Sequence, residues 1–161
     1  KGGNSKIINY FDIDINLPIE YETNNKFSFV FCLFGKKSKY VHGTLPSCYM
    51  LDKIRNRNNY NYDIIIMCTP DVLEGDNGKF ISNFVDYIII VPYLLYNTFI
   101  PDFVITTKPH YSKVWFKFHI YRLINYQKVC LLDGDYLVSG NSDFPNIFNE
   151  ETPIDYLRNS W

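Results

Sequence analysis

The feature that most restricts the fold of this chain is a series of short, unbroken apolar runs closed by turn-forming residues: Ser28 to Phe34, Asp63 to Cys68, Tyr87 to Val91 and Val129 to Asp133. A strand covered on one face alternates apolar and polar residues. Ser-Phe-Val-Phe-Cys-Leu-Phe does not alternate, and it predicts a strand buried on both faces. Helical segments separate the runs. From Gly43 to Arg57, Leu45, Cys48, Tyr49, Leu51 and Ile54 fall near one helical face, with Pro46 tolerable only in a first turn. Thr69-Pro70-Asp71 reads as a turn, Gly78 to Phe84 as a second helix and Ser112 to Asn125 as a third, with Trp115 and Phe118 toward the core. Strands alternating with helices predict an α/β fold with a mostly parallel sheet and right-handed crossovers. The segment from Pro92 to Tyr111 carries three prolines and is too long for a tight connection, so it reads as a functional loop.

A chain of 161 residues suits one domain with a full hydrophobic core. Its formal net charge of -1 lacks the basic footprint of a nucleic-acid binder, so no nucleic-acid partner is expected. Cys32, Cys48, Cys68 and Cys130 form no Cys-x-x-Cys pair, and three of them lie in the apolar runs. Reduced, buried thiols in a cytoplasmic protein explain that pattern better than disulfides or a zinc site. The longest apolar stretch, Tyr87 to Ile100, is interrupted by Pro92, Asn97 and Thr98, so a soluble chain without a transmembrane segment is expected. No signal peptide is evident, although the sequence begins at Lys1, which leaves secretion open. Alanine is absent while Asn, Ile, Lys, Tyr and Phe abound, a bias that weakens helix-propensity arguments. Residues 1–26 are polar and Asn-rich and read as an extension, with Ile13, Ile15 and Leu17 alternating as in a short edge strand.

The last run ends in Asp133-Gly134-Asp135. Two carboxylates one residue apart, at the carboxyl end of a buried strand, can aim hard oxygens at one divalent cation, and that cation can neutralise a diphosphate. The loop from Gly35 to Lys39 belongs at the same end of the sheet, so the two features can share a site. Lys36, Lys37 and Lys39 could steer an anion there, but a short lysine run is more often solvated loop surface. His42, His110 and His119 show no ligand spacing and read as ordinary polar or packing residues.

In order along the chain stand Tyr40-Val41-His42-Gly43-Thr44, the aliphatic run into Thr69-Pro70-Asp71-Val72, Lys117, Tyr126-Gln127-Lys128-Val129, Asp133-Gly134-Asp135, Tyr136-Leu137-Val138 and Asn141-Ser142-Asp143. This series resembles the glycogenin-like family 8 glycosyltransferases over about residues 28–148. The resemblance implies a Rossmann-like GT-A nucleotide-sugar-binding domain at 27–148, between the extension at 1–26 and a tail at 149–161. It implies a metal-dependent transfer of a hexose from a UDP-sugar to an unknown acceptor. Asp133 and Asp135 would hold Mn²⁺ or Mg²⁺, Gly134 would admit the ribose, Tyr40 would stack on the uracil, and Lys117 would serve catalysis beside the donor sugar and phosphates. The family's acceptor-side segments and its metal-binding histidine have no counterpart after Phe148, so a chain truncated at its C-terminus relative to the family is expected. The alternative is a catalytically inactive nucleotide-binding or interaction domain, and a homo-oligomer stays open. A haloacid dehalogenase-type phosphatase is set aside because Leu137 stands where that motif needs Thr or Val. A dinucleotide-dependent oxidoreductase is set aside for lack of a GxGxxG after the first run.

Overall fold

In the computed structural model, residues 5–36, 38–94, 111–140 and 143–149 are described. The fold is α/β, with a five-stranded, wholly parallel sheet. In chain order its elements are β1 (Lys6–Asn9), β2 (Phe27–Leu33), α1 (Ser38–Asn58), β3 (Asp63–Cys68), a 3₁₀ turn at Pro70–Leu73, α2 (Asn77–Ser82), β4 (Tyr87–Ile90), the short helix α3 (Tyr111–Val114), a 3₁₀ helix at Trp115–Arg122, β5 (Lys128–Asp133) and a 3₁₀ segment at Phe144–Asn149.

The strand order is β1-β4-β3-β2-β5. From β2 the chain builds outward through β3 to β4, then returns to lay β5 on the other side of β2. In open sheets of this kind the point of reversal, here between β2 and β5, leaves a crevice beyond the carboxyl ends of the strands. Cys32 is in register with Asp133 across that pair.

Period-two alternation divides the interior in two. Phe29, Phe31, Leu33, Ile64, Ile66 and Cys68 pack under α1 and α2 with Leu51 and Ile54. Val30, Cys32, Ile65, Met67 and Ile89 face the opposite layer, which holds Ile19, Phe116, Leu123 and Tyr126. Both faces of β2 and β3 are therefore covered, as their unbroken apolar sequences require.

Three expectations change. The edge strand forms at Lys6–Asn9, paired with β4, while Ile13, Ile15 and Leu17 stay exposed. Hydrogen bonding to the free edge of β4 decides the position, and alternation alone carries no such information. Helix α1 begins at Ser38, so Pro46 lies in its interior, and Tyr49 is exposed. Pro46 sits on the solvent side, where water can serve the carbonyl left without an N–H partner. From Trp115 to Arg122 the chain adopts a 3₁₀ helix, in which residues three apart share a line. Phe116 and His119 consequently turn inward, and Trp115, Phe118 and Tyr121 stack along the outer side with centroid separations of 5.1 and 6.0 Å. Most of the expected functional loop, at 95–110, lies outside the described residues, as do Lys37, His110, Asn141, Ser142 and the tail from 150.

Candidate functional site

Asp133 ends β5, and the backbone N–H of Tyr136 donates to its carbonyl at 2.9 Å, closing a four-residue turn with Gly134 and Asp135 in the middle. The turn stands beside β2 at the topological reversal. Both carboxylates are exposed.

Helix α1 supports this turn through two hydroxyls three residues apart on its buried side. Thr44 Oγ1 lies 2.8 Å from the carbonyl oxygen of Gly134 and 2.9 Å from that of Tyr40, so its proton links the first turn of α1 to the Asp-Gly-Asp turn. Ser47 donates to the carbonyl of Tyr136 at 2.8 Å and accepts the N–H of Val138 at 3.0 Å. Gly134 is required by this close approach: a Cβ there would lie 2.8 Å from Leu33 Cδ2 and 3.3 Å from Thr44 Oγ1. Sequence reading missed Thr44 and Ser47. Their signal is a pair of small hydroxyl residues on an otherwise apolar helical face.

Lys117 reaches the site from the 3₁₀ helix, and its Nζ forms an ion pair with Asp133 Oδ1. Its side chain is only 21% exposed, against 63% for Asp133, so the packed lysine stem delivers its ammonium to a carboxylate open to solvent. The stem also lines a cavity of about 450 Å³ with Trp115, Phe118, Tyr121 and Leu131. Among the described residues Asp135 has no ion-pair partner. Beneath the turn, burial pushes the Cys32 thiol up to about 12, so it stays neutral there.

Tyr40 is exposed on the first turns of α1, with Lys39 Nζ 5.1 Å from its ring centroid. Its backbone carbonyl joins the Thr44 linkage, so the first turns of α1 lie at the same end of the sheet as the Asp133-Gly134-Asp135 turn. Lys36 is paired with Glu74 at 3.0 Å on the surface. Its neighbour Gly35, at φ +82°, makes the left-handed bend that leaves β2.

A second polar cluster was not anticipated. Asp71 accepts hydrogen bonds from Thr69 Oγ1 at 2.5 Å and Tyr93 OH at 2.9 Å. Burial would raise its carboxyl, but these donors and the backbone N–H groups of Asp71 and Gly35 outweigh that and hold it below its ordinary value. The cluster ties the ends of β3 and β4 to the loop after β2.

Of the two described histidines, His42 packs edge-on against Phe80 with centroids 5.8 Å apart. His119 is buried, its Nε2 3.1 Å from the carbonyl of Pro92 and its Nδ1 accepting from Arg122. Among the described residues no three His, Cys, Asp or Glu side chains converge on one point. The paired carboxylates still fit a Mg²⁺-like or Mn²⁺-like ion of the phosphate-bridging kind, which takes one or two protein carboxylates and completes its shell with water and substrate oxygens. Among the described residues no helix is long and apolar enough to cross a membrane.

No family model matches the chain. It is similar to uncharacterized protein R707 of Acanthamoeba polyphaga mimivirus, at 25% identity over 134 residues, which is 83% of this chain and 44% of that protein. The chain thus spans less than half the length of the curated relative it matches.

Proposed function

We propose that residues 27–148 bind the diphosphate of a UDP-sugar through a divalent cation, as the donor-binding part of a glycosyltransferase resembling the glycogenin-like family 8 enzymes. The observation that carries this reading is the convergence of the Asp133-Gly134-Asp135 turn, the Lys117 ammonium and the first turns of α1 at the reversal of the parallel sheet. Asp133 and Asp135 hold Mn²⁺ or Mg²⁺. The ion, when bound, offsets the charge that builds on the departing nucleoside diphosphate. Lys117 supplies a further positive charge to the donor phosphates, and Tyr40 presents an exposed ring to the base. The Gly134 backbone, lacking a Cβ, lies against Leu33 and Thr44, which keeps the turn in register with α1.

Calorimetric titration of UDP with and without Mn²⁺ tests the reading. Binding is expected to strengthen with Mn²⁺, and Asp135→Ala should abolish that gain; affinity indifferent to both metal and mutation overturns it. The second reading is a nucleotide-binding or interaction domain without turnover. Release of UDP from UDP-glucose or UDP-galactose separates the two, since only the enzyme liberates it.

A further inference from the structure

The Lys117–Asp133 ion pair bears on the order in which ligands enter, an inference that rests on the donor-site reading above. A divalent cation bound by this turn needs the Asp133 carboxylate, and Lys117 Nζ engages Oδ1 of that group. An ammonium and a divalent ion cannot share one carboxylate oxygen without strong repulsion at contact distance. The pair is asymmetric. The lysine stem is largely covered, the carboxylate is open, and Asp135 beside it is exposed and unpaired among the described residues. The cavity of about 450 Å³ along the lysine stem gives it space to change rotamer without disturbing the sheet.

We propose that Lys117 is a placeholder for the cation: its ammonium neutralises Asp133 while the site is free, and a divalent ion arriving with a diphosphate displaces it onto the phosphate oxygens. Metal alone meets the ammonium held on Asp133 and is repelled by it, so it binds weakly and chiefly through Asp135. Metal together with a diphosphate gives the ammonium a new anionic partner, so the two ligands strengthen one another. Lys117 in this role is a positioning residue that couples the ligands, and the coupling is a property of binding that needs no turnover.

The test is titration of Mn²⁺ alone, followed by free-ion electron paramagnetic resonance, on the whole chain and on Lys117→Met, Lys117→Gln and Lys117→Arg. UDP is then titrated calorimetrically with and without saturating Mn²⁺. Loss of the competing charge in the Met and Gln variants should tighten Mn²⁺ binding at least about fivefold and shrink the Mn²⁺–UDP coupling by a similar factor, the low end of usual coupling between sites. The Arg variant keeps the charge and should stay close to the parent. The Gln variant retains polarity and covers the case in which Met disturbs folding. Unchanged or weaker Mn²⁺ binding in both neutral variants, with Mn²⁺-dependent UDP binding intact in the parent and lost in Asp135→Ala, overturns the placeholder role and leaves the donor site standing. A parent whose UDP binding ignores Mn²⁺ overturns the donor reading, and the placeholder with it.

Discussion

The hydroxyl of Thr44 stands 2.8 Å from the carbonyl oxygen of Gly134, so helix α1 and the turn after β5 are joined at the point where the parallel sheet reverses direction. The two residues are 90 apart in sequence. Tertiary packing alone brings them together, and the position of both aspartates depends on that join.

Gly134→Ala should therefore lower stability by about 1–3 kcal/mol, the usual cost of forcing extra volume into a packed site. The added methyl meets Leu33 and Thr44, and the turn shifts away from α1. Thr44→Val, which keeps shape but removes the hydroxyl, should cost about 1 kcal/mol because the part-buried carbonyls of Gly134 and Tyr40 lose their hydroxyl donor. Urea unfolding measures both. A neutral Gly134→Ala would mean that Leu33 yields its space without strain.

These relationships explain what sequence could and could not reveal. The strands β2, β3 and β4 were legible because residues such as Phe29, Val30 and Ile65 must be buried on both faces, and few structures satisfy that. Asp133 and Asp135 were legible as a pair at a strand end. The start of α1 was not, because Pro46 argues for a first turn unless its carbonyl partner is known to face water. Nor was the inward turn of Phe116 and His119, since the apolar pattern of Trp115–Arg122 does not say whether the period is 3.0 or 3.6, and the two place the buried line differently. Thr44 and Ser47 became visible as supports only when their acceptors arrived from the far end of the chain.

His119 predicts a pH dependence. Burial, reinforced by the neighbouring Arg122 charge, lowers its imidazole from 6.5 to about 4 against a smaller opposing effect of the Pro92 carbonyl. The folded protein holds the ring neutral while the unfolded chain protonates near 6.5, so its contribution to stability is fully present above that value and is lost as pH falls toward 4. The loss should reach up to about 3 kcal/mol. Melting temperature recorded between pH 7.5 and 4.5 should fall less steeply for His119→Gln. Identical slopes would assign the acid sensitivity to other groups.

Asp63 predicts how the N-terminal segment is held. Its buried carboxylate accepts Thr23 Oγ1 at 2.5 Å, Asn25 Nδ2 at 2.6 Å and Tyr126 OH at 2.6 Å, and Tyr126 OH also meets Tyr21 OH at 2.9 Å. The network clasps residues 21–25 between the start of β3 and the approach to β5. Tyr126→Phe should cost about 1–2 kcal/mol. Asp63→Ala should cost more, since it strands three donors, and should speed proteolytic cleavage within residues 10–26. Unaltered cleavage would show that β1 and the buried Ile19 hold the segment without the clasp.

Tyr40 gives the sharpest separation of binding from folding. Tyr40 is 45% exposed, with the Lys39 ammonium 5.1 Å from its ring centroid, so truncation removes only part of the apolar burial of a core tyrosine. Its backbone carbonyl, which receives the Thr44 hydroxyl, survives the change. Tyr40→Ala should therefore melt within a degree or two of the parent, about the shift expected when ΔΔG is a few tenths of a kcal/mol. If the ring stacks on uracil, UDP affinity should fall by about 1–3 kcal/mol, the usual loss when an aromatic platform is removed from under a base. Tyr40→Phe should retain most of the affinity, because stacking needs the ring and not the hydroxyl, and inorganic diphosphate, which has no base, should bind equally to all three proteins. Equal UDP affinity in Tyr40→Ala would remove Tyr40 from the site, and a matching loss of diphosphate affinity would indicate that the mutation had displaced the Asp133-Gly134-Asp135 turn through α1.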